Sequence, residues 1–121
     1  MADSPEKTER SKVVRMDISN RVILTPESSI TYENHEAIGK VIQSAMEENK
    51  TQIILDCKYV ELMDSAALEL LIETHGKLRE RGGMLKIVGL NEVCSDILMV
   101  TRAVNTLFVY KDIQEAIINI G

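Results

Sequence analysis

Ile53-Ile54-Leu55-Asp56-Cys57-Lys58-Tyr59-Val60-Glu61-Leu62-Met63-Asp64-Ser65-Ala66-Ala67-Leu68 decides the fold of this chain. A β-branched apolar run beginning at Gln52 and closing at Asp56 reads as a strand covered on both faces, because nothing in it alternates with polar residues. A short polar connection follows. Asp64 and Ser65 then stand at the head of a strongly helical segment, where side-chain oxygens accept hydrogen bonds from backbone N–H groups that lack an intrahelical partner. That helix is expected to run to about Arg81, with Leu68, Leu71, Ile72, His75 and Leu78 as its inward stripe. Gly82-Gly83 stops it, since Gly takes the left-handed cap position without strain. Met84 to Val88 is the next buried strand. Strand, helix and strand in this order imply a parallel pair joined by a right-handed crossover.

The same reading extends in both directions. Upstream, Val13–Ile18 and Arg21–Thr25 read as two strands joined by a turn at Ser19-Asn20, Asn being tolerant of left-handed angles. Pro26 ends the second, as it cannot donate to a sheet ladder. Glu27 to Glu33 is a loop. Asn34 is placed to cap a helix running to about Asn49, with Ile38, Val41, Ile42, Ala45 and Met46 on one stripe. Downstream, Asn91 is expected to cap a helix through about Thr101, with Val93, Ile97, Leu98 and Thr101 on one side. A short strand follows at Leu107–Tyr110. Asp112 and Glu115 then resemble a capping box before a last helix that buries Ile113, Ala116, Ile117 and Ile120. The expected fold is α/β: one domain over residues 13–121, a mixed, mostly parallel sheet with an N-terminal hairpin and about four helices packed on it, preceded by a flexible polar tail at residues 1–12.

Composition narrows the function classes. A chain of 121 residues supports one core, and with aromatics at only 3% that core must be aliphatic. Net charge is −5 and no Lys/Arg run stands out, which argues against direct nucleic-acid binding, since a phosphate-backbone binder carries a basic footprint. No apolar stretch approaches the roughly 20 residues that span a bilayer, and the polar N-terminus is no signal peptide. The expected location is the cytoplasm, without membrane insertion. Cys57 and Cys94 lack C-x-x-C spacing and read as small buried hydrophobes.

Few residues invite chemistry. Ser65 is read from the residues alone as a plain helix cap or as a phosphoacceptor; a phosphate there would meet the first N–H groups and the positive end of the helix dipole. Asp64 is either the N-cap itself or a group that orients the hydroxyl and engages a kinase. His75 reads as a packed histidine, and His35, His75, Cys57 and Cys94 do not fall at zinc-ligand spacing. Gly39-Lys40 lacks the remainder of a phosphate loop, and Met63 and Ala67 stand where a nucleophile elbow needs glycines. The loops after parallel strands gather at one edge of a sheet, where partners bind. The expected partner surface is therefore the exposed part of Met63 to Leu70, with Asp64, Ser65, Ala66 and Glu69, together with Ser28 to Tyr32, in particular Ser28 and Thr31.

Asp64-Ser65-Ala66-Ala67-Leu68 after an Ile-Ile-Leu-Asp strand resembles the D-S-[SAT]-[GA]-L signature of STAS domains, and within them the anti-sigma factor antagonists. Leu98 to Phe108, with its Thr101-x-x-x-x-x-Leu107-Phe108 spacing, and the Glu115-Ala116 pair add to the likeness, which covers roughly Val13 to Ile118. The resemblance implies a small α/β domain with no enzymatic activity and no cofactor. It implies that the dephosphorylated protein binds an anti-sigma factor that is also a serine kinase, that phosphorylation of Ser65 breaks the complex, and that a PP2C-type phosphatase reverses it. Ala67 and Glu69 stand where family members often have Gly, and Ser28 stands near the place of another. Glu69 lies one helical turn from Ser65, so a phosphate there would meet a like charge. That departure supports a second reading, a non-switching STAS scaffold in a sensory or transport assembly. A small enzyme or nucleotide-binding protein on a flavodoxin-like sheet is a third, without a phosphate-binding glycine motif to support it. A weak homodimer through the sheet edge is left open.

Overall fold

The computed structural model describes residues 12–118; the expected tail, apart from Lys12, and Ile120 lie outside them. Five strands form one sheet in the order β1 (Val13–Ile18), β2 (Arg21–Pro26), β3 (Gln52–Asp56), β4 (Met84–Val88) and β5 (Phe108–Tyr110). β1 and β2 are antiparallel, with Val14 opposite Thr25 and Met16 opposite Ile23; the remaining pairs are parallel. Among the described residues there are also four helices: α1 (His35–Glu47), α2 (Ser65–Glu80), α3 (Glu92–Val100) and α4 (Ile113–Ile118). A 3-10 turn, Ala103–Asn105, precedes β5.

Alternation along the strands builds a different layer on each face. Val22, Leu24, Ile53, Leu55, Leu85 and Ile87 point to one side, where Ile38, Ile42 and Met46 of α1, Leu71 and Leu78 of α2 and Leu98 of α3 pack on them. Ile23, Ile54 and Val88 point to the other, where Ala116 and Ile113 of α4 and Tyr110 cover them in a much thinner layer. Lys86 is buried on that thin side and donates to the Ala116 carbonyl at 2.6 Å. Cys57 and Cys94 are buried free thiols, and burial raises the pKa of both.

The helix ends follow local chemistry. Gly82 takes φ +77° after α2, and the Gly82 and Gly83 N–H groups donate back to the Arg79 and Leu78 carbonyls. Asn49 closes α1 in the same way at φ 67°. At the hairpin, Ser19 rather than Asn20 adopts the left-handed angle. At α4, the Glu115 N–H donates to Asp112 at 2.8 Å as expected, but the Glu115 carboxylate reaches Lys111 N–H, one residue before the cap.

Several expected stripe positions are corrected. α2 buries Ala67, Leu71, Thr74 and Leu78, and Ile72 faces solvent. α3 buries Cys94 and Leu98, leaving Val93 and Thr101 exposed. Ile117 is exposed on α4.

Candidate functional site: the loop and helix junction at Ser65

Because β2, β3 and β4 run parallel, the connections that leave their C-terminal ends meet at one edge of the sheet. There the loop after β2 and the segment before α2 are zipped together. The Ile30 N–H donates to the Leu62 carbonyl at 3.2 Å, the Leu62 N–H donates to Ser29 Oγ at 2.9 Å, and Ile30 pairs with Met63 as an isolated parallel bridge. Ile30 and Met63 are both buried, so an apolar pin lies under the polar zip. Met63 thus belongs to the core, and its expected place on the partner surface is corrected.

Asp64 locks the two segments. One carboxylate oxygen accepts the Ala67 N–H at 3.1 Å and caps α2; the other accepts the Tyr32 N–H at 2.8 Å across the junction. Desolvation raises the Asp64 pKa, but the backbone donors of Tyr32, Ala67 and Ala66 outweigh it and hold the carboxyl below its ordinary value. The Ala67 N–H in the first turn of α2 is therefore already engaged by Asp64. A phosphate on Ser65 could settle on the Ala67 N–H only by displacing that carboxylate.

Asn34 stands at the N-cap of α1, but its side chain makes no capping bond. It is buried and turned back into the preceding loop: Oδ1 accepts from Thr31 N–H at 2.9 Å, and Nδ2 donates to the Ser29 carbonyl at 2.8 Å and to Ser28 Oγ at 3.2 Å. Ser28 and Thr31 are thus half-buried parts of the loop's own framework. Asn91 caps α3 through the Cys94 N–H at 2.8 Å and also donates to the Glu61 carbonyl at 3.2 Å, tying a third element to the junction.

On this frame, Ser65 and Glu69 are exposed, Ala66 is half-buried, and Tyr32 is 72% exposed. Leu62 and Val93, which the sequence reading did not assign to the surface, add exposed apolar groups next to the tied residues Glu61 and Asn91. An apolar residue in the polar turn before the signature was the available signal for Leu62. The junction is a stiff, mostly polar platform with one serine hydroxyl at a helix start. Among the described residues there is no group of three or more His, Cys, Asp or Glu side chains placed to hold a metal ion, and no helix is long and apolar enough to cross a membrane.

The STAS-domain family model matches residues 8–116. This chain belongs to the STAS-domain family. Its fold is similar to an anti-sigma factor antagonist of Mycobacterium paratuberculosis, at 17% identity and a TM-score of 0.81 over 97% of each chain. It is also similar to the Bacillus cell-fate determinant SpoIIAA in its phosphorylated form, at 16% identity and a TM-score of 0.67 over 88% of this chain and 96% of that one. A third likeness is to the murine anion transporter Slc26a9, at 22% identity and a TM-score of 0.70, over 85% of this chain but only 18% of the transporter. At these identities the likeness shows the fold. No curated protein sequence matches this STAS domain.

Proposed function

We propose that this STAS domain is an anti-sigma factor antagonist switched by one phosphate. Dephosphorylated, it binds an anti-sigma factor that is also a serine kinase and so frees a sigma factor in the cytoplasm. Phosphorylation of Ser65 ends the complex, and a PP2C-type phosphatase restores it. The domain binds and is modified; it catalyses nothing and needs no cofactor. The observation that carries this reading is the exposed Ser65 at the first position of α2, beside an Asp64 whose carboxylate is committed to the backbone of both segments.

The physics of the switch is local. A phosphate adds about −1.5 to −2 charge at pH 7. With Asp64 holding the helix end, that charge stays at the surface, where a partner would have to bury it without a matching cation. Burying an unpaired charge costs several kcal/mol, and at ~1.4 kcal/mol per decade a loss of ~3 kcal/mol weakens binding roughly a hundredfold. No large conformational change is required. In a pull-down from native lysate, wild-type bait is expected to capture an ATP-binding serine kinase that inhibits a sigma factor, and Ser65→Asp bait to lose it. Ser65→Ala is expected to bind and to show no phosphate by mass spectrometry. Equal capture of the kinase by wild-type and Ser65→Asp would sink the proposal.

The exposed Glu69 and the likeness to part of Slc26a9 favour one second reading, a non-switching scaffold subunit. In that case both baits capture the same large assembly, and Ser65 acts as a helix start only.

A further inference from the structure

The two edges of the sheet are unlike. β5 is three residues long, whereas β1 is six residues long and regular and, among the described residues, pairs only on its β2 side. An open edge strand offers unpaired N–H and C=O groups to another chain, and proteins commonly blunt it with Lys, Pro or a bulge. β1 has no Lys or Pro between Val13 and Ile18. On the face it shares with Ile23, its side chains Val14, Met16 and Ile18 are 42%, 56% and 41% exposed. α4 covers Ile23, Ile54 and Val88 on that face, and among the described residues this strip of β1 lies outside its cover. The apolar surface continues from the strip into a groove of about 230 Å³ lined by Val14, Met16, Ile23, Tyr59 and Ile113.

We propose that β1 is a self-complementary edge through which two copies of this chain pair antiparallel, joining two five-stranded sheets. The support is the order of residues along the strand. Val14-Arg15-Met16-Asp17-Ile18 reads the same in chemical type from either end, except that its two charges are opposite in sign. An antiparallel pair centred on Met16 therefore places Arg15 opposite Asp17 of the second copy, and Asp17 opposite its Arg15. On the other face it places Val14 opposite Ile18, Met16 opposite Met16 and Ile18 opposite Val14. A one-residue slip would set charged residues against apolar ones, so the register is specified.

The surroundings fit the same occupant. Arg15 bonds Asp17 at 2.8 Å and Glu48 at 2.6 Å, and Lys50 lies 3.5 Å from Asp17. Two cations and two anions make this edge locally neutral in a chain of net charge −5, so two copies can approach here without the repulsion that their totals would cause. Opposite charges directly across an antiparallel pair stabilise it, and like charges destabilise it. The surface is distinct from the Ser65 junction, and the proposal stands or falls independently of the switch.

The test is sedimentation of the full chain between about 10 µM and about 1 mM, where a small interface is expected to associate. The wild-type mass is expected to rise with concentration from 13.6 kDa toward twice that value. Met16→Lys, on an exposed site, should weaken association by about tenfold or more, as edge lysines do. Asp17→Arg leaves only positive charges on β1 itself and Arg15→Glu only negative ones, so each alone should remain monomeric. An equimolar mixture of the two should recover the dimer, because every opposed pair is again of opposite sign. Melting curves identify any variant that fails to fold. A wild-type chain that stays monomeric at 1 mM overturns the proposal. So does a dimer that ignores Met16→Lys, or a mixture of folded charge variants that fails to associate.

Discussion

Beneath α1, α2 and α3 this protein is held by area; at the C-terminal edge of the same sheet it is held by a handful of directed bonds. The first region is almost entirely apolar, with Leu24, Leu55, Leu71, Leu85 and Ile87 removed from water. The second has one apolar pin, Ile30 against Met63, and above it the hydrogen bonds of Asn34, Ser29 and Asp64. Burial is non-directional and scales with area, so it fixes whether the chain folds but constrains no single atom. Hydrogen bonds add little net stability each but fix positions closely. The division places Ser65 on a part of the molecule that is geometrically tight and energetically inexpensive to alter, as the proposed switch would require.

Three substitutions sharpen or break this contrast, and the largest effect belongs to the core. Leu55 is completely buried on β3, the middle strand of the sheet, and Leu55→Ala should cost about 3–5 kcal/mol in denaturant unfolding, from lost transfer energy and the cavity left behind. Asn34→Ala comes next. It strands the Thr31 N–H and leaves the Ser29 carbonyl with the 3.3 Å bond from Ser28 Oγ, and an unmet polar group removed from water costs about 1–3 kcal/mol. Its signature should differ in kind: amide exchange at Thr31 and in the loop around it should quicken by local opening, while amides of β3 and β4 keep the protection set by global unfolding. Uniform acceleration across the sheet in Asn34→Ala would show that latch and core form one cooperative unit.

The core was largely legible in the sequence, and the latch largely was not. Gln52–Asp56, Met84–Val88 and the Gly82 stop stand where apolar runs and backbone freedom place them. Errors within helices came from size outweighing phase. On α2 the buried track steps from Ala67 through Leu71 and Thr74 to Leu78, and a reading that favours bulky residues takes Ile72 instead of the small Ala67 and Thr74. In the latch, the partners are distant in sequence or face backwards. Asn34 before a helix suggests a cap, but its bonds return to residues 28–31; Met63 beside Asp64 could point either way until its pairing with Ile30 is known. Asp64 was recognisable as a helix start. Its second bond, to Tyr32 on a different loop, has no local signal.

That second bond sets up the smallest of the three effects. Asp64→Asn keeps one acceptor oxygen where the carboxylate has two, and it turns an amide NH2 toward a backbone donor, so either the Ala67 or the Tyr32 N–H loses its partner. The loss at neutral pH should be about 0.5–2 kcal/mol, the range for a removed cap. Its pH dependence identifies the source. The folded-state pKa of Asp64 lies below 3.8, so the unfolded chain takes up the proton first as pH falls. Stability contributed by the carboxylate is therefore fully present above 3.8 and disappears as pH drops through the lower folded value. Wild type and Asp64→Asn should differ in melting temperature at pH 7 and converge in acid. A gap that persists undiminished into strong acid would assign the effect to shape rather than charge, and the junction would then resemble the core more closely than its hydrogen bonds suggest.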